Sequence, residues 1–585
     1  TGGAAGEHDT NVFVADWDGG AKGEILAETA AADRFIADVG YLADDAQEGR
    51  GVGTKGLERS LDYVQKAFEA AGAEPGNGGK WRQAFEVTVS VEREAATAMT
   101  LDGAKLEATD FAPFAYSASS AKTGKVSGAV VSVGSGIVDP DAKIDDYKGK
   151  DVRGKVVVLH EVLPPDVSAD VTRKWSGLRR RVFVARGKGA AAVIAVDDGD
   201  LKRDEAKLPM LEPSHGDAGI PVVAVTRKAM EKGPKRADLV IALKPVKATT
   251  ENVVGVIRAG AATKQPGIVV VGAHVDLLGM GGPFALDTAV GIHNGADDNA
   301  SGTAGLLEVA RTLAAKKAEL PRDVYLVSFS AEEMGVLGSA HYVKNLPTKD
   351  PIVAMINMDM IGRMQRNHLS INGGESAKEW KELVAPVCDA ARVDCSISGS
   401  GYGPSDHMSF YIAGIPVLFL FTGNHRDYHT MTDDTDKINA IGGARAAMIA
   451  AETAFAVAKR PGMLTYVKST PDAMPDCKDP KDTACQQDDR PRNASLGTIP
   501  SYEERDKSAP PGLIISGVSP GGPAEKAGLK GGDRIVEIGG TAIDNINDLM
   551  FVLQAAKPGQ PTTITYVRDG KRATVEATYG LPRRR

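Results

Sequence analysis

Helical spacing of apolar residues marks the first part of the chain. Between residues 24 and 72 one apolar stripe runs through Phe35 and Val39, and a second runs through Leu61 and Phe68. Such stripes predict two amphipathic helices, each of which needs a core to pack against. Residues 1–23 lack this periodicity and are rich in Gly and Ala, so we interpret them as an N-terminal tail.

A change to short β-rich runs separated by Gly and Pro follows Phe114. These runs are typical of strands bounded by turns. They predict a β-rich domain over residues 119–246, inserted into a larger unit. The runs lie at residues 126–133, 155–159, 191–196 and 220–225.

Strands and helices alternate between residues 251 and 459. This alternation predicts an α/β fold with a mixed, largely parallel sheet sandwiched by helices, in which ligands gather beyond the carboxyl ends of the strands. We expect residues 24–118 and 247–462 to form this discontinuous domain. Strands are predicted at 268–273, 324–329, 352–358 and 416–421, and helices after Ser301, around Val343 and after Ala440.

A polar stretch over residues 463–490 ends that domain and is interpreted as a linker. β patterning then resumes at 513–518, 534–538 and 562–568, with a helical stretch at 547–556. Residues 491–582 are therefore expected to form a small independent domain.

Composition limits the classes of partner. The 585 residues include 69 basic and 77 acidic side chains, a net charge of −8, and the basic residues are mostly scattered, which argues against nucleic acid binding. The strongest apolar run, residues 415–421, is about a third of the roughly 20 residues that a spanning helix needs. We expect no membrane span.

The cysteines form two close pairs, Cys388 with Cys395 and Cys477 with Cys485. Local pairs suit disulfides in an oxidising compartment, and zinc knuckles are the weaker alternative because neither pair has the spacing of a zinc ribbon. The numbering opens on Thr1, as if a signal peptide had been removed. A secreted or periplasmic protein is therefore expected.

Chemically capable side chains cluster where the predicted strands end. They are His274, Asp276, Glu332, Glu333 and Asp359, joined by the loop that contains Asp297 and Asp298 and by the Tyr428-His429 pair. Taken singly, the loop aspartates could cap a helix, and the paired glutamates could stabilise a helix N-terminus. Asp359 is more telling, because a charge within an apolar strand is costly unless it is paired or bound to metal. His425 and His407 are rival ligands.

Zinc binding would explain why these residues occur together. Zinc accepts neutral imidazole and carboxylate oxygens, and two zinc ions about 3.5–4 Å apart usually share a carboxylate and a water. One remaining carboxylate could then take a proton from that water and pass it to a leaving amine. Asp276, two residues from His274 on an extended chain, could orient that histidine.

Five short motifs occur in a fixed order between residues 274 and 430: HVD, GADDNASG, SAEE, NMDM and YHT. In this order they resemble the zinc exopeptidase family that includes bacterial leucyl aminopeptidases, aminopeptidase Y and glutamate carboxypeptidase II. The segment from Gly49 to Thr54 fits the same family. The resemblance implies two zinc ions and five metal ligands, with Asp298 bridging the ions: His274, Asp298, Glu333, Asp359 and His429.

The same resemblance implies the catalytic roles. Glu332 is implied as the general base and acid that activates a zinc-bridging water, and Tyr428 as a donor to the oxyanion. Leu277 is a departure, because many relatives have a second histidine there, and it puts the shape of the pocket in doubt.

The two flanking regions also resemble known modules. The insertion at 119–246 is similar to a protease-associated domain, and residues 491–582 resemble a bacterial PDZ domain, with Leu496 and Gly497 in the peptide-binding loop. PDZ domains bind peptides by strand addition.

Three functions follow as hypotheses. The first is an aminopeptidase that hydrolyses N-terminal residues from peptides. The second is a carboxypeptidase or dipeptidase, which would need a cation such as Arg363 or Arg426 to bind the substrate carboxylate. The third belongs to another class: a non-catalytic peptide-binding protein that acts through its PDZ domain.

Overall fold

The computed structural model describes residues 19–119, 125–164, 166–197, 208–209, 211, 216–282, 284–287, 290–468, 494–501 and 510–581. Most of the predicted tail, most of the predicted linker and the pair Cys477 and Cys485 lie outside the described residues. Cys388 and Cys395 form a disulfide.

The predicted N-terminal helices are present. The second helix begins where the Thr54 side chain accepts the Leu57 N–H at 3.2 Å, and it ends at Gly72, whose φ of 89° favours glycine. Leu61 and Phe68 on its apolar stripe are buried. The first elements are α1 (Gly19–Leu42), α2 (Lys55–Ala71), β1 (Glu74–Pro75) and β2 (Arg82–Arg93).

An eight-stranded sheet follows in the order β4-β3-β12-β6-β9-β10-β11-β5. This sheet begins before residue 119, the predicted start of the insertion. Strands β3 and β5 precede that residue, and they pair with β12 and β11 of the same sheet. The strands are β3 (Ala98–Leu101), β4 (Ala104–Lys105), β5 (Phe111–Pro113), β6 (Val126–Ser132), β7 (Val138–Asp139), β8 (Ile144–Asp145), β9 (Val156–His160), β10 (Ala192–Asp197), β11 (Val222–Thr226) and β12 (Arg236–Val240). The helices are α3 (Ala169–Trp175), α4 (Leu178–Gly187) and α5 (Arg227–Met230).

A nine-stranded mixed sheet forms the centre of the molecule, in the order β1-β13-β15-β14-β16-β19-β17-β18, with β2 paired to β13. Its central strands β15, β14, β16 and β19 are parallel, so the predicted fold class is confirmed. The strands are β13 (Leu243–Ile257), β14 (Ile268–His274), β15 (Val324–Phe329), β16 (Ile352–Met358), β17 (His368–Asn372), β18 (Asp394–Ser398) and β19 (Val417–Phe421). The helices are α6 (Gly302–Ala315), α7 (Leu337–Lys344), α8 (Trp380–Ala391), α9 (His407–Ile412) and α10 (Ala440–Lys459).

Helices cover both faces of this sheet. Helices α1, α2, α6, α8 and α10 share one core with it. On the other face Tyr342 of α7 and Phe410 of α9 pack against Phe329 of β15. Among the described helices, α10 alone is long and apolar enough to cross a membrane by composition. It packs on α6 and on the sheet, and 61% of its apolar window is buried within the protein.

The C-terminal domain has its own core, which includes Leu496, Ile515, Ile535 and Ile564. Its sheet runs β20-β21-β22-β24-β25, so β20 is an edge strand. The elements are β20 (Thr498–Pro500), β21 (Leu513–Val518), α11 (Pro523–Lys526), β22 (Arg534–Ile538), β23 (Thr541–Ala542), α12 (Ile546–Ala555), β24 (Pro561–Arg568) and β25 (Lys571–Thr578).

Candidate metal centre

Three parallel strands bring candidate side chains to one edge of the central sheet. Strand β14 ends at His274, Asp359 directly follows β16, and Glu332 comes shortly after β15. Because the carboxyl ends of neighbouring parallel strands meet at the same edge, residues far apart in sequence become neighbours.

Asp298 stands between two histidines. Its Oδ1 lies 3.5 Å from Nε2 of His274, and its Oδ2 lies 3.2 Å from Nε2 of His429. His274 Nε2 is also 3.4 Å from Oδ1 of Asp359, and His429 Nε2 is 3.1 Å from Oε2 of Glu333. These contacts form two clusters that share the Asp298 carboxylate. Together the clusters contain the five residues that the resemblance implies as ligands.

The chemistry of these clusters fits two divalent cations. Oδ1 of Asp359 and Oε1 of Glu333 are buried, and neither has a hydrogen-bond partner in the described part of the chain. Burial, and then the charge of Glu333, raise the pKa of Asp298 to about 6. Buried carboxylate oxygens without hydrogen bonds are costly, and bound cations would stabilise them.

The two histidines respond to the same excess of negative charge. Burial favours their neutral forms, but the carboxylates around them outweigh it. Hydrogen bonds to Asp298 and Glu333 raise the pKa of His429 to about 11, and the charges of Asp359 and Glu332 raise the pKa of His274 well above its usual value. Positive charge is therefore favoured at both positions, which a bound metal would provide.

Glu332 lies at the edge of the same centre. Its Oε2 is 4.0 Å from Nε2 of His274, and with His274 and Glu333 it forms a third possible group of metal ligands. Burial raises the pKa of Glu332 well above its usual range, and the nearby charges of Glu333 and Asp406 raise it further. A carboxyl group of raised pKa is suited to exchanging protons.

Asp276 is fully buried behind the paired glutamates. Its Oδ1 accepts the Glu332 N–H at 3.1 Å, and its Oδ2 accepts the Glu333 N–H at 3.4 Å. The Asp276 carboxylate is 4.0 Å from Nδ1 of His274, whereas the Asp276 main-chain oxygen is nearer, at 3.2 Å. The Asp276 side chain therefore fixes the backbone of Glu332 and Glu333, and its main chain contacts His274.

A fully buried arginine anchors the turn that carries Asp298. The Arg50 guanidinium donates to the main-chain oxygens of Val275, Asn294 and Gly295 at 2.7–2.9 Å and approaches that of Asp298 at 3.5 Å. The family motif at residues 49–54 pointed to this segment but not to the role of its arginine.

Asp433 anchors the same turn from the other side. Its Oδ2 accepts the main-chain N–H groups of Asp297 and Asp298 at 3.0 Å. Burial and the charge of Asp297 raise the pKa of Asp433 to about 7. Sequence reasoning missed this residue, and its position four residues after His429 was the only signal.

One site residue and two residues next to site residues have unfavourable backbone angles. His429 has a φ of 54°, Ala331 before Glu332 has 57°, and Met360 after Asp359 has 55°. Residues other than glycine rarely adopt this left-handed region, and such strain concentrates at functional sites.

The rival histidines lie outside the metal clusters. Nε2 of His425 is 3.1 Å from Oδ2 of Asp297. His407 is buried with its ring stacked on Phe419, and burial lowers its pKa to about 3. Tyr428 stacks on His429, with ring centroids 3.8 Å apart, and burial followed by the charges of Asp298 and Glu333 raises its pKa.

The arginines that a carboxypeptidase would use differ in environment. Arg363 is 2.8 Å from Oδ2 of Asp427 and 3.8 Å from Oδ1 of Asp433, and its side chain is only 14% exposed. Its charge is thus engaged within the protein. Arg426 is exposed.

Comparison with known proteins agrees with this geometry. Residues 252–454, which contain every metal-cluster residue, match the family described as peptidase family M28, and residues 492–578 match the PDZ domain. The predicted resemblance to this zinc exopeptidase family and to a PDZ domain is therefore confirmed over these two segments.

Curated relatives include Aminopeptidase YwaD of Bacillus subtilis, which is 32% identical over 44% of this chain and 54% of its own length. The chain thus spans about half of that relative. Probable lipoprotein aminopeptidase LpqL of Mycobacterium tuberculosis is 26% identical over 68% of this chain and 75% of its own length. Among solved structures, BSAP, a zinc aminopeptidase from Bacillus subtilis, is 23% identical over 72% of this chain and 94% of its own, with a TM-score of 0.47.

Proposed function

We propose that this protein is a zinc-dependent aminopeptidase that hydrolyses N-terminal residues from peptides. The observation that carries the proposal is the Asp298 carboxylate, which presents one oxygen to each of two His/carboxylate clusters. The names of the aminopeptidase relatives support the same activity.

One zinc ion would be held by His274 and Asp359, and the second by Glu333 and His429. Asp298 would bind both ions. Bound zinc would supply Lewis acidity, which activates water and polarises the scissile carbonyl.

Glu332 is proposed as the group that moves the proton. It is the one carboxylate of the centre that this scheme leaves free of metal, and its raised pKa suits a group that accepts a proton from water and delivers it to the leaving amine. Asp276 would position Glu332 through its main-chain N–H. Tyr428, stacked on His429, is proposed to donate a hydrogen bond from its hydroxyl to the developing oxyanion.

The environment of Arg363 argues against its use by a carboxypeptidase and leaves the exposed Arg426 as the arginine that such an enzyme would need. A carboxypeptidase must bind the C-terminal carboxylate of its substrate with a free cation, but Arg363 is already paired with Asp427 and lies near Asp433. Charged groups that are already paired gain little from a second anion.

The test combines zinc content with hydrolysis of leucinamide, Leu-Gly-Gly and N-acetyl-Leu-Gly-Gly by the full chain and by Glu332→Gln. We expect about two zinc ions in both proteins, cleavage of free N-termini only, and a loss of at least ~100-fold in kcat for the variant. Glu319→Gln, at an exposed glutamate, is the control and keeps the parent rate. A zinc-free parent, or release of C-terminal residues first, would refute the proposal.

For the C-terminal domain we propose capture of a peptide or protein C-terminus. Strand β20 is an edge strand, and Leu496 and Gly497 immediately precede it. Gly497 also lines a cavity of about 1360 Å³ that reaches Phe551 and, on the insertion, Phe183. An edge strand beside a cavity suits strand addition.

Fluorescence anisotropy with a labelled apolar peptide tests this second proposal. The free carboxylate form should bind at least ~10-fold more tightly than the amidated form, because the amide removes the charge that the loop would bind. Equal affinity would contradict it. If peptide binding were found without any hydrolysis, the non-catalytic alternative would replace the aminopeptidase.

The remaining assignments concern domain boundaries and location. We propose that the inserted sheet, which extends the predicted insertion at 119–246 back to β3, is a protease-associated domain within the discontinuous peptidase domain. We also propose export to an oxidising compartment. The Cys388–Cys395 disulfide supports this location, and so does a relative that is named as a probable lipoprotein aminopeptidase. Labelling of free thiols before and after reduction tests the disulfide.

A further inference from the structure

One loop at the metal centre exposes an unusual number of apolar side chains. We call it the rim loop and define it by the described residues 278–282, 284–287 and 290–293, between Asp276 and the Asp298 turn. Four of its residues are exposed, at 55%, 44%, 69% and 76%: Met280, Phe284, Leu286 and Val290. They make up a third of the large exposed hydrophobic residues in the described chain. Such clustering marks binding surfaces rather than ordinary surface.

The rim loop is attached to the centre through His429. The Phe284 main-chain oxygen lies 2.9 Å from Nδ1 of His429, and the Leu286 N–H donates to the His429 main-chain oxygen at 2.9 Å. A proton on Nδ1 would leave Nε2 to face Asp298 and Glu333. The backbone that carries Phe284 and Leu286 is therefore held against a histidine of the metal clusters.

Charge in the rim loop is already used internally. Asp287 and His293 are the acidic and basic residues of the described loop, and they face each other: the Asp287 carboxylate accepts the Met431 N–H at 2.8 Å and lies 3.2 Å from Nε2 of His293. The surface that the loop offers a ligand is thus apolar, in contrast to the carboxylate-rich metal centre.

The proposed function determines which part of a peptide could reach this surface. An aminopeptidase binds the N-terminal residue at the buried centre, so the substrate chain extends outward only on the leaving-group side. We propose that the rim loop binds the apolar side chain of the residue that follows the cleaved bond, and so gives the enzyme a preference for a hydrophobic second residue. This inference rests on the proposed aminopeptidase function.

The test compares kcat/KM for Leu-Leu-Gly, Leu-Ser-Gly and leucinamide, in the zinc-loaded full chain and in Val290→Ser and Leu286→Ser. The parent should prefer Leu-Leu-Gly over Leu-Ser-Gly by roughly 10-fold, a usual range for a hydrophobic contact, and each variant should reduce that ratio to about two or less. Val162→Ser, the same substitution at a valine that is 50% exposed on the insertion, should keep the parent ratio.

Three results would overturn the inference. An unchanged ratio in both variants would remove the loop from substrate selection. An equal loss on all three substrates, leucinamide included, would show that the loop only supports His429. If the ratio is unchanged and the variants sediment more slowly than the parent, the surface is a contact between copies of this chain. Failure of the parent to cleave any of the three substrates is a separate result, which refutes the proposed function itself.

Discussion

Arg50 illustrates how one buried side chain can hold a metal-binding turn. Burial lowers its pKa to about 10, so the guanidinium stays charged at neutral pH, and its donors are taken up by main-chain oxygens around the Asp298 turn. Carbonyl oxygens gathered around a cation in this way keep the backbone of the turn in place. The position of Asp298 therefore depends on a residue that touches no metal.

Arg50→Lys should weaken zinc binding by about 10- to 100-fold, because lysine cannot reproduce the forked set of hydrogen bonds. Competition with a chromophoric chelator measures the affinity, and circular dichroism checks that the variant is folded. Arg59→Lys is the matched control, since Arg59 is 44% exposed. A folded Arg50→Lys protein with the zinc affinity of the parent would contradict this role.

Asp276 leads to a different prediction, because its two oxygens accept two separate N–H groups. Asparagine keeps one acceptor but turns an NH₂ group toward the other N–H, so Asp276→Asn should displace Glu332 and Glu333. We expect kcat to fall by about 10- to 100-fold, with a smaller change in KM. Steady-state kinetics on leucinamide give both constants. A variant that changes KM alone would show that Asp276 acts on substrate binding instead.

At the residue scale, sequence reasoning reached the side chains at strand ends but not their supports. His274 and Asp359 could be predicted because the strands before them are continuous apolar runs with a polar residue at the end. Arg50 could not, because its hydrogen bonds join it to main-chain oxygens 225 and 245 residues away. Main-chain acceptors are the same for every residue type, so they leave no signal in the sequence.

Helix α10 is the element whose stability depends most visibly on a single residue. Its last carbonyl groups have no partner within the helix, and the buried Arg322 donates to the main-chain oxygens of Val457, Ala458 and Gly462. The helix packs on α6 and on the sheet, so its end supports the whole layer.

Arg322→Met should lower the free energy of unfolding by about 2–3 kcal/mol, because it leaves buried carbonyl oxygens without donors. The thermal midpoint of the full chain should fall by roughly 5 °C or more. Lys459→Met, at a 49% exposed residue of the same helix, is the control and should change the midpoint little. Equal midpoints for Arg322→Met and the parent would contradict the assigned role.

At the element scale, patterning predicted the strands that the core encloses. The predicted strands 324–329 and 352–358 have the bounds of β15 and β16, because buried parallel strands are continuous apolar runs. The start of the inserted sheet was harder to predict from the sequence. Strands β3 and β5 are short, and only their long-range pairing with β12 and β11 assigns them to that sheet.

At the scale of the whole molecule, the PDZ domain is docked on the insertion through a defined contact between α12 and α4. Arg186 and Asp548 form a 3.0 Å ion pair in which the side chains are only 15% and 4% exposed, and the rings of Phe183 and Phe551 are 5.3 Å apart. Paired buried charges beside an aromatic contact give a specific interface. The two domains should therefore move as one unit in solution.

Phe551→Asp should separate the PDZ domain from the insertion. The new carboxylate would face Phe183 and lie one helical turn from Asp548, so it would be both desolvated and repelled, at a cost of roughly 2–3 kcal/mol. Phe551 lies outside the buried core of the PDZ domain, so the domain itself should stay folded. Small-angle X-ray scattering should then show a larger radius of gyration than the parent. Ile514→Asp, on an exposed strand position of the same domain, should leave the radius unchanged, and an unchanged radius in Phe551→Asp would mean that other contacts hold the domains together.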